Sequence, residues 1–150
     1  MLFRSEEAHY GPDHFQVALT LGNLGNAYGA LGDVAKKRAL LERALRILEA
    51  HYGPDHFEVA ITLGNLGNAH GDLGDVAKKR DLLERALRIN ETHYGPDHFE
   101  VAVTLGNLGN AYGALGDDAK RRYFLERALS IFATCGRHDM VARVESWLKT

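Results

Sequence analysis

Hydrophobic positions along this chain recur every three or four residues, and no stretch alternates with the period of two that a half-buried strand needs. Val17, Leu21, Leu24, Tyr28 and Leu31 project onto one face of a helix. After Gly32 a second helical set follows: Val34, Leu41, Ala44, Leu45 and Leu48, with Leu40 and Ile47 alongside. The two sets predict a pair of antiparallel helices, A and B, joined by a tight Leu31-Gly32-Asp33 turn.

The pair is then repeated. HYGPDHF begins at His9, His51 and His93, a period of 42 residues, and the similarity runs through each whole unit, the third being the most divergent. A fixed period of this size marks a stacked array whose units bury their apolar faces against one another. The expected units are 9–50, 51–92 and 93–134, within a single repeat domain over 1–150. Residues 1–11 match the end of a helix B, since FRSEEAHYG aligns with LRILEAHYG. An array opening in this way leaves Leu2 and Phe3 on an unfinished face, which invites self-association or continuation into a longer array. At the other end Met140, Val141, Val144, Trp147 and Leu148 form one apolar stripe, so a capping helix is expected over 139–149. The fold class is all-α, an α-solenoid of antiparallel helical hairpins with a C-terminal capping helix.

Each junction carries its own punctuation. Gly53 suits the C′ position of helix B, and Pro54 stops that helix from continuing. Asp55 with Glu58 three residues on has capping-box spacing; Asp97 and Glu100 repeat it, and Asp13 has Gln16. His51 then falls in the last turn of one helix B and His56 in the first turn of the next helix A. Two histidines five residues apart are a possible metal pair, but no cysteine or third clustered ligand accompanies them, as zinc requires. No metal or other cofactor is expected.

Composition narrows the function classes. A content of 45% hydrophobic residues can build a core, and a net charge of −2 gives no pull toward nucleic acid or membrane. The first residues hold no sustained apolar run, so neither a signal peptide nor a membrane span is expected there. The single cysteine, Cys135, excludes an intramolecular disulfide and fits a reducing, cytoplasmic setting. No Ser-His-Asp or Cys-His set stands out. The glycines of LGNLGNAYG lie inside a helix, not between a strand and a helix, so they make no phosphate loop. No catalytic residue is assigned, and an enzyme is not expected.

Lys36 to Arg38 recur as Lys78 to Arg80 and Lys120 to Arg122, early in each helix B. Such a stripe could meet phosphates. The more ordinary outcome is a solvated face balanced by local acids, with Glu42 and Arg46 spaced as a favourable pair. Nucleic acid is not the favoured partner.

At NLGNAYGALGD and LLERALRI the sequence resembles the tetratricopeptide repeat, through Leu24, Gly25, Tyr28, Gly32-Asp33 and Ala44-Leu45. The 42-residue period, the GPDH junction and LLERAL look like the kinesin-light-chain-like branch. The family's usual repeat is about 34 residues, and the extra length implies about one more turn on each helix. Two departures stand out. Lys37, Lys79 and Arg121 hold a place where the family prefers alanine, and His70 stands where the other copies have Tyr28 and Tyr112. The third helix B gains Tyr123, Phe124 and Phe132 in place of Asp81, Leu82 and Asn90. The resemblance implies a right-handed superhelix whose A helices line a concave groove that holds peptides.

Gly22, Gly25 and Gly29 lie inside helix A, where each costs about 1 kcal/mol relative to alanine. The resemblance makes Gly25 the point where helices A and B approach closely. Gly22, Asn26 and Gly29 share one stripe opposite the core face, recurring as Gly64, Asn68, Gly71 and as Gly106, Asn110, Gly113. Leu19, Ile61 and Val103 border it with apolar surface, and Asp72 adds a charge. These thirteen residues are the expected peptide-binding groove, its carboxamides able both to donate and to accept. Chaperone-clamp members of the family grip a carboxylate with groove lysines and arginines. The corresponding surface here has neither, which disfavours an acidic peptide tail. The expected function is therefore a protein-interaction scaffold for a peptide or protein segment. The alternatives are a self-assembling array without a separate ligand and a sensor of a small signalling peptide.

Overall fold

The computed structural model describes residues 14–150, and every regular element among them is a helix. The helices are α1 (Phe15–Ala30), α2 (Val34–Tyr52), α3 (Phe57–Asp72), α4 (Val76–Tyr94), α5 (Phe99–Ala114), α6 (Asp118–Thr134) and α7 (His138–Leu148). Odd-numbered helices up to α5 are A helices, and α2, α4 and α6 are B helices. Each helix packs on its neighbours in sequence, giving an all-α solenoid of three hairpins closed by α7. The expected helix B end at 1–11, the Leu2 and Phe3 face and the side chain of Asp13 lie outside the described residues.

Local chemistry explains each break. At the A-to-B turn the chain reverses through Gly32, φ 91°, and the Asp33 N–H donates back to the Tyr28 carbonyl at 2.9 Å. Asp33 then caps α2 by accepting from the Lys36 N–H at 3.1 Å. Asp75 and Asp117 repeat this cap. At the B-to-A junction Gly53 has φ 88° and ψ 163°, a region essentially closed to residues with a Cβ.

The expected capping role of Asp55 and Asp97 is overturned. The N-caps are His14, His56 and His98, whose Nδ1 atoms accept from the N–H groups of Gln16, Glu58 and Glu100 at 3.1 Å each. An imidazole Nδ1 is as many bonds from the backbone as an aspartate oxygen, so it reaches the same donor. Stacking orients the ring: His56 lies on Tyr52 at 4.2 Å and His98 on Tyr94 at 4.3 Å. The other histidine of the motif is equally occupied, His51 stacking on Phe15 at 4.6 Å and His93 on Phe57 at 4.3 Å. The repeated HYGPDHF is thus a structural junction whose rings form a ladder running from His14 to His98. At the third junction Arg137 lies 4.5 Å over Phe99 and Phe132 meets the same ring edge-on.

The apolar core follows the predicted faces, centred on Val17, Leu21, Leu41 and Leu63 in the first two hairpins and on Leu105, Leu108, Leu125 and Phe132 in the third. Leu31 is an exception. It is 82% exposed, because it is the C-cap of α1 and the helical projection no longer applies to it. Leu73 and Leu115 share that position and are also exposed. Ion pairs tie successive B helices: Arg85 to Glu49 at 2.8 Å and Arg127 to Glu91 at 3.3 Å.

Tyr112 of α5 reaches back across the repeat boundary to hydrogen-bond the Glu84 carboxylate of α4, and His70 faces Glu42 at 3.6 Å in the same way. The expected Glu42–Arg46 pair is replaced by this contact and by Arg38 at 3.9 Å. Burial first, and the Glu84 bond second, push the Tyr112 phenol up to about 12. The folded chain therefore holds this proton more tightly than the unfolded one. Its stabilising contribution is complete below the ordinary tyrosine value of about 10 and is lost as pH rises through about 12. Tyr112→Phe is expected to flatten that alkaline loss of stability in a pH series of urea melts.

Candidate functional site

Successive A helices leave an open cleft between α3 and α5, with α4 closing its base. Its volume is about 360 Å³. Four residues expected from the sequence line it: Ile61, Gly64 and Asn68 from α3 and Val103 from α5. It also takes Asn65 and Asn107, the first asparagine of each LGNLGN, which the sequence stripe did not include. Asn90, Tyr94, Glu100 and Thr104 complete the polar lining. The signal for Asn65 was available: it lies one residue from Gly64 and recurs every 42 residues.

The glycine stripe divides in two. A Cβ built on Gly22 or Gly64 meets nothing within 4 Å. These two are open, beside exposed Leu19 and Ile61. Asn26 is exposed as well. Gly29, Gly71 and Gly113 instead face their own helix B, where a Cβ would lie 2.6 Å from Cδ of Lys37, Lys79 or Arg121. These three, expected as groove lining, thus also have a packing role within their own hairpins. They are small because a long basic side chain crosses them, its aliphatic stem covering the glycine. The departure from alanine at Lys37, Lys79 and Arg121 is compensated across the hairpin, and the helices still approach closely. A Cβ on Gly25 would lie 3.3 Å from the Lys37 carbonyl oxygen.

The third hairpin differs because α7 covers it. Gly106 is buried, and a Cβ there would lie 3.4 Å from Trp147 Cζ3. Arg121 Nη1 donates to the Trp147 carbonyl at 2.8 Å, placing positive charge at the C-terminal end of α7. Asn110 and Gly113 face a separate recess beside Trp147, Asp118 and Thr150. Asp72 is exposed at the end of α3.

The basic runs are largely engaged within the array. Lys36 lies 5.8 Å over the Tyr28 ring and Lys120 5.0 Å over Tyr112. Arg80 pairs with Asp81, while Arg121 and Arg122 share Asp118, whose carboxyl is held below the usual range first by its bond to Arg121.

This architecture has a counterpart in sequence. The tetratricopeptide-repeat family matches residues 16–92 and again 58–134. The chain belongs to the tetratricopeptide-repeat family. No match was found among curated proteins. Among solved structures, BtubC (BKLC) from P. vanneervenii is 27% identical with a TM-score of 0.78, over 87% of this chain and 52% of its own. A candidate kinesin light chain from Podosopora anserina, built of nearly identical TPR-like repeats, gives a TM-score of 0.81 at 22% identity. That match covers 90% of this chain and 65% of the other. The TPR domain of Arabidopsis FLU gives 0.71 at 17% identity, over 79% of this chain and 97% of its own. This tetratricopeptide array spans 52% and 65% of the first two neighbours' lengths. No helix among the described residues is long and apolar enough to cross a membrane.

Proposed function

We propose that this chain is an interaction scaffold that holds a peptide or protein segment along the cleft lined by its A helices. Tetratricopeptide repeats are in general non-enzymatic scaffolds for protein partners, and the reading here needs no cofactor. The observation that carries it is the pair Gly22 and Gly64. Each sits in a helix interior with open space above it, so no contact within the described chain explains the missing side chain. Removing the side chain lets a ligand's backbone approach the helix, while exposed Leu19 and Ile61 beside it offer apolar contact. The carboxamides of Asn65, Asn68 and Asn107 can both donate and accept, which suits a peptide backbone without demanding one sequence. A cytoplasmic location is proposed on the same footing.

Peptides selected on the wild-type protein from a displayed random library provide the test. The triple variant Asn65→Ala, Asn68→Ala, Asn107→Ala should keep the melting temperature and weaken the selected peptides at least tenfold. Unchanged affinity would remove the cleft as the binding surface, and absence of any enriched peptide would favour an array that serves only to assemble.

A further inference from the structure

Asn90 in α4 occupies the place held by Leu48 in α2 and by Phe132 in α6. It is 8% exposed, and a carboxamide so buried is costly unless its groups are bonded. Its Nδ2 donates to Thr104 Oγ1 at 3.1 Å, and the Thr104 hydroxyl donates to the Glu100 carbonyl at 3.1 Å. A hydroxyl has one proton to give, so with that proton committed Thr104 can only accept from Asn90. In this arrangement the amide nitrogen faces Thr104 and the oxygen is left as the acceptor. Its Oδ1 has no donor among the described residues, yet it is not sealed from solvent, because Asn90 lines the cleft between α3 and α5.

We propose that Asn90 is a specificity-determining contact. Its Oδ1 accepts a hydrogen bond from an uncharged or basic donor side chain of the bound peptide, next to an aliphatic residue seated between Ile61 and Val103. The inference rests on the cleft-binding reading above and adds the register. Leu48 offers no acceptor at the corresponding place between α1 and α3, and Phe132 offers none beneath α7. Near-identical repeats would otherwise let a peptide slide by one unit; a single buried acceptor allows one frame. Charge sets the class of donor. Glu100 lies in the lining and no lysine or arginine does, so a carboxylate in this recess would be repelled and a cation tolerated.

The test compares peptides selected on the wild type with those selected on Asn90→Leu, affinities being measured by fluorescence anisotropy. Leucine already fills the equivalent site in α2, and Thr104 keeps its bond to Glu100, so folding is expected to survive. Asn90→Met serves as a second apolar variant. The expected result is a loss of tenfold or more for wild-type peptides, with Asn90→Leu selecting the aliphatic residue but no donor beside it. Equal affinity and an unchanged consensus on Asn90→Leu, with binding still lost in the triple asparagine variant, would overturn this contact and leave the cleft reading standing. Peptides indifferent to all the variants, or no enrichment on the wild type, would overturn both.

Discussion

Gly109→Val is expected to lower the unfolding free energy by about 2–3 kcal/mol, whereas Gly64→Ala should raise it by up to about 1 kcal/mol. Both glycines lie inside A helices, but their surroundings differ. A Cβ on Gly109 would lie 2.9 Å from Leu125 Cδ2 and 3.2 Å from the Arg121 carbonyl oxygen. Leu125 is fully buried and the other obstacle is backbone, so neither can step aside, and valine adds two further carbons. Over Gly64 there is only open space, and alanine gains helix propensity without a clash. Gly71→Ala should fall between them, since the atom it meets is the Cδ of the flexible Lys79 stem. Urea unfolding midpoints would rank the three. If Gly64→Ala destabilised as much as Gly109→Val, the division into packing and open glycines, and with it the support for the cleft, would be lost.

His56→Ala and His98→Ala are each expected to cost about 1–2 kcal/mol, because each removes a helix cap and a ring stack together. His56→Asn should recover the cap contribution only, since its carboxamide oxygen can reach the Glu58 N–H while the stack on Tyr52 stays broken. Asp55→Ala, by contrast, should stay within about 0.5 kcal/mol, as an exposed residue with no capping bond. A larger loss at Asp55 than at His56 would reverse the cap assignment. Adding a chelator should leave the melting temperature unchanged, because ring stacking and capping already account for His14, His51, His56, His93 and His98.

The junction shows where sequence reading stopped. Gly53, Pro54 and the capping-box spacing located the break between helices to within a residue. Choosing between Asp55 and His56 as the cap needed the position of Tyr52, which stacks on one ring and leaves the aspartate in solvent. Propensity favours aspartate; the tertiary contact decided for histidine. The groove behaved likewise. Ile61, Gly64, Asn68 and Val103 were legible from a helical stripe, but a stripe on one helix cannot say which neighbour it faces. Gly64 and Gly71 are indistinguishable in pattern, one open and one under Lys79.

The 42-residue period, the helical phase of the apolar residues and the Gly-Asp turns are short-range properties, each set by residues within a few positions of one another. The sequence by itself therefore determined an all-α array of three hairpins with a capping helix. What lies across a repeat boundary depends on residues tens of positions apart, meeting only when the hairpins stack. The tertiary structure alone decided that Tyr112 bonds Glu84, that Trp147 covers Gly106 while Gly64 stays open, and that Asn90 bonds Thr104 at the edge of the cleft.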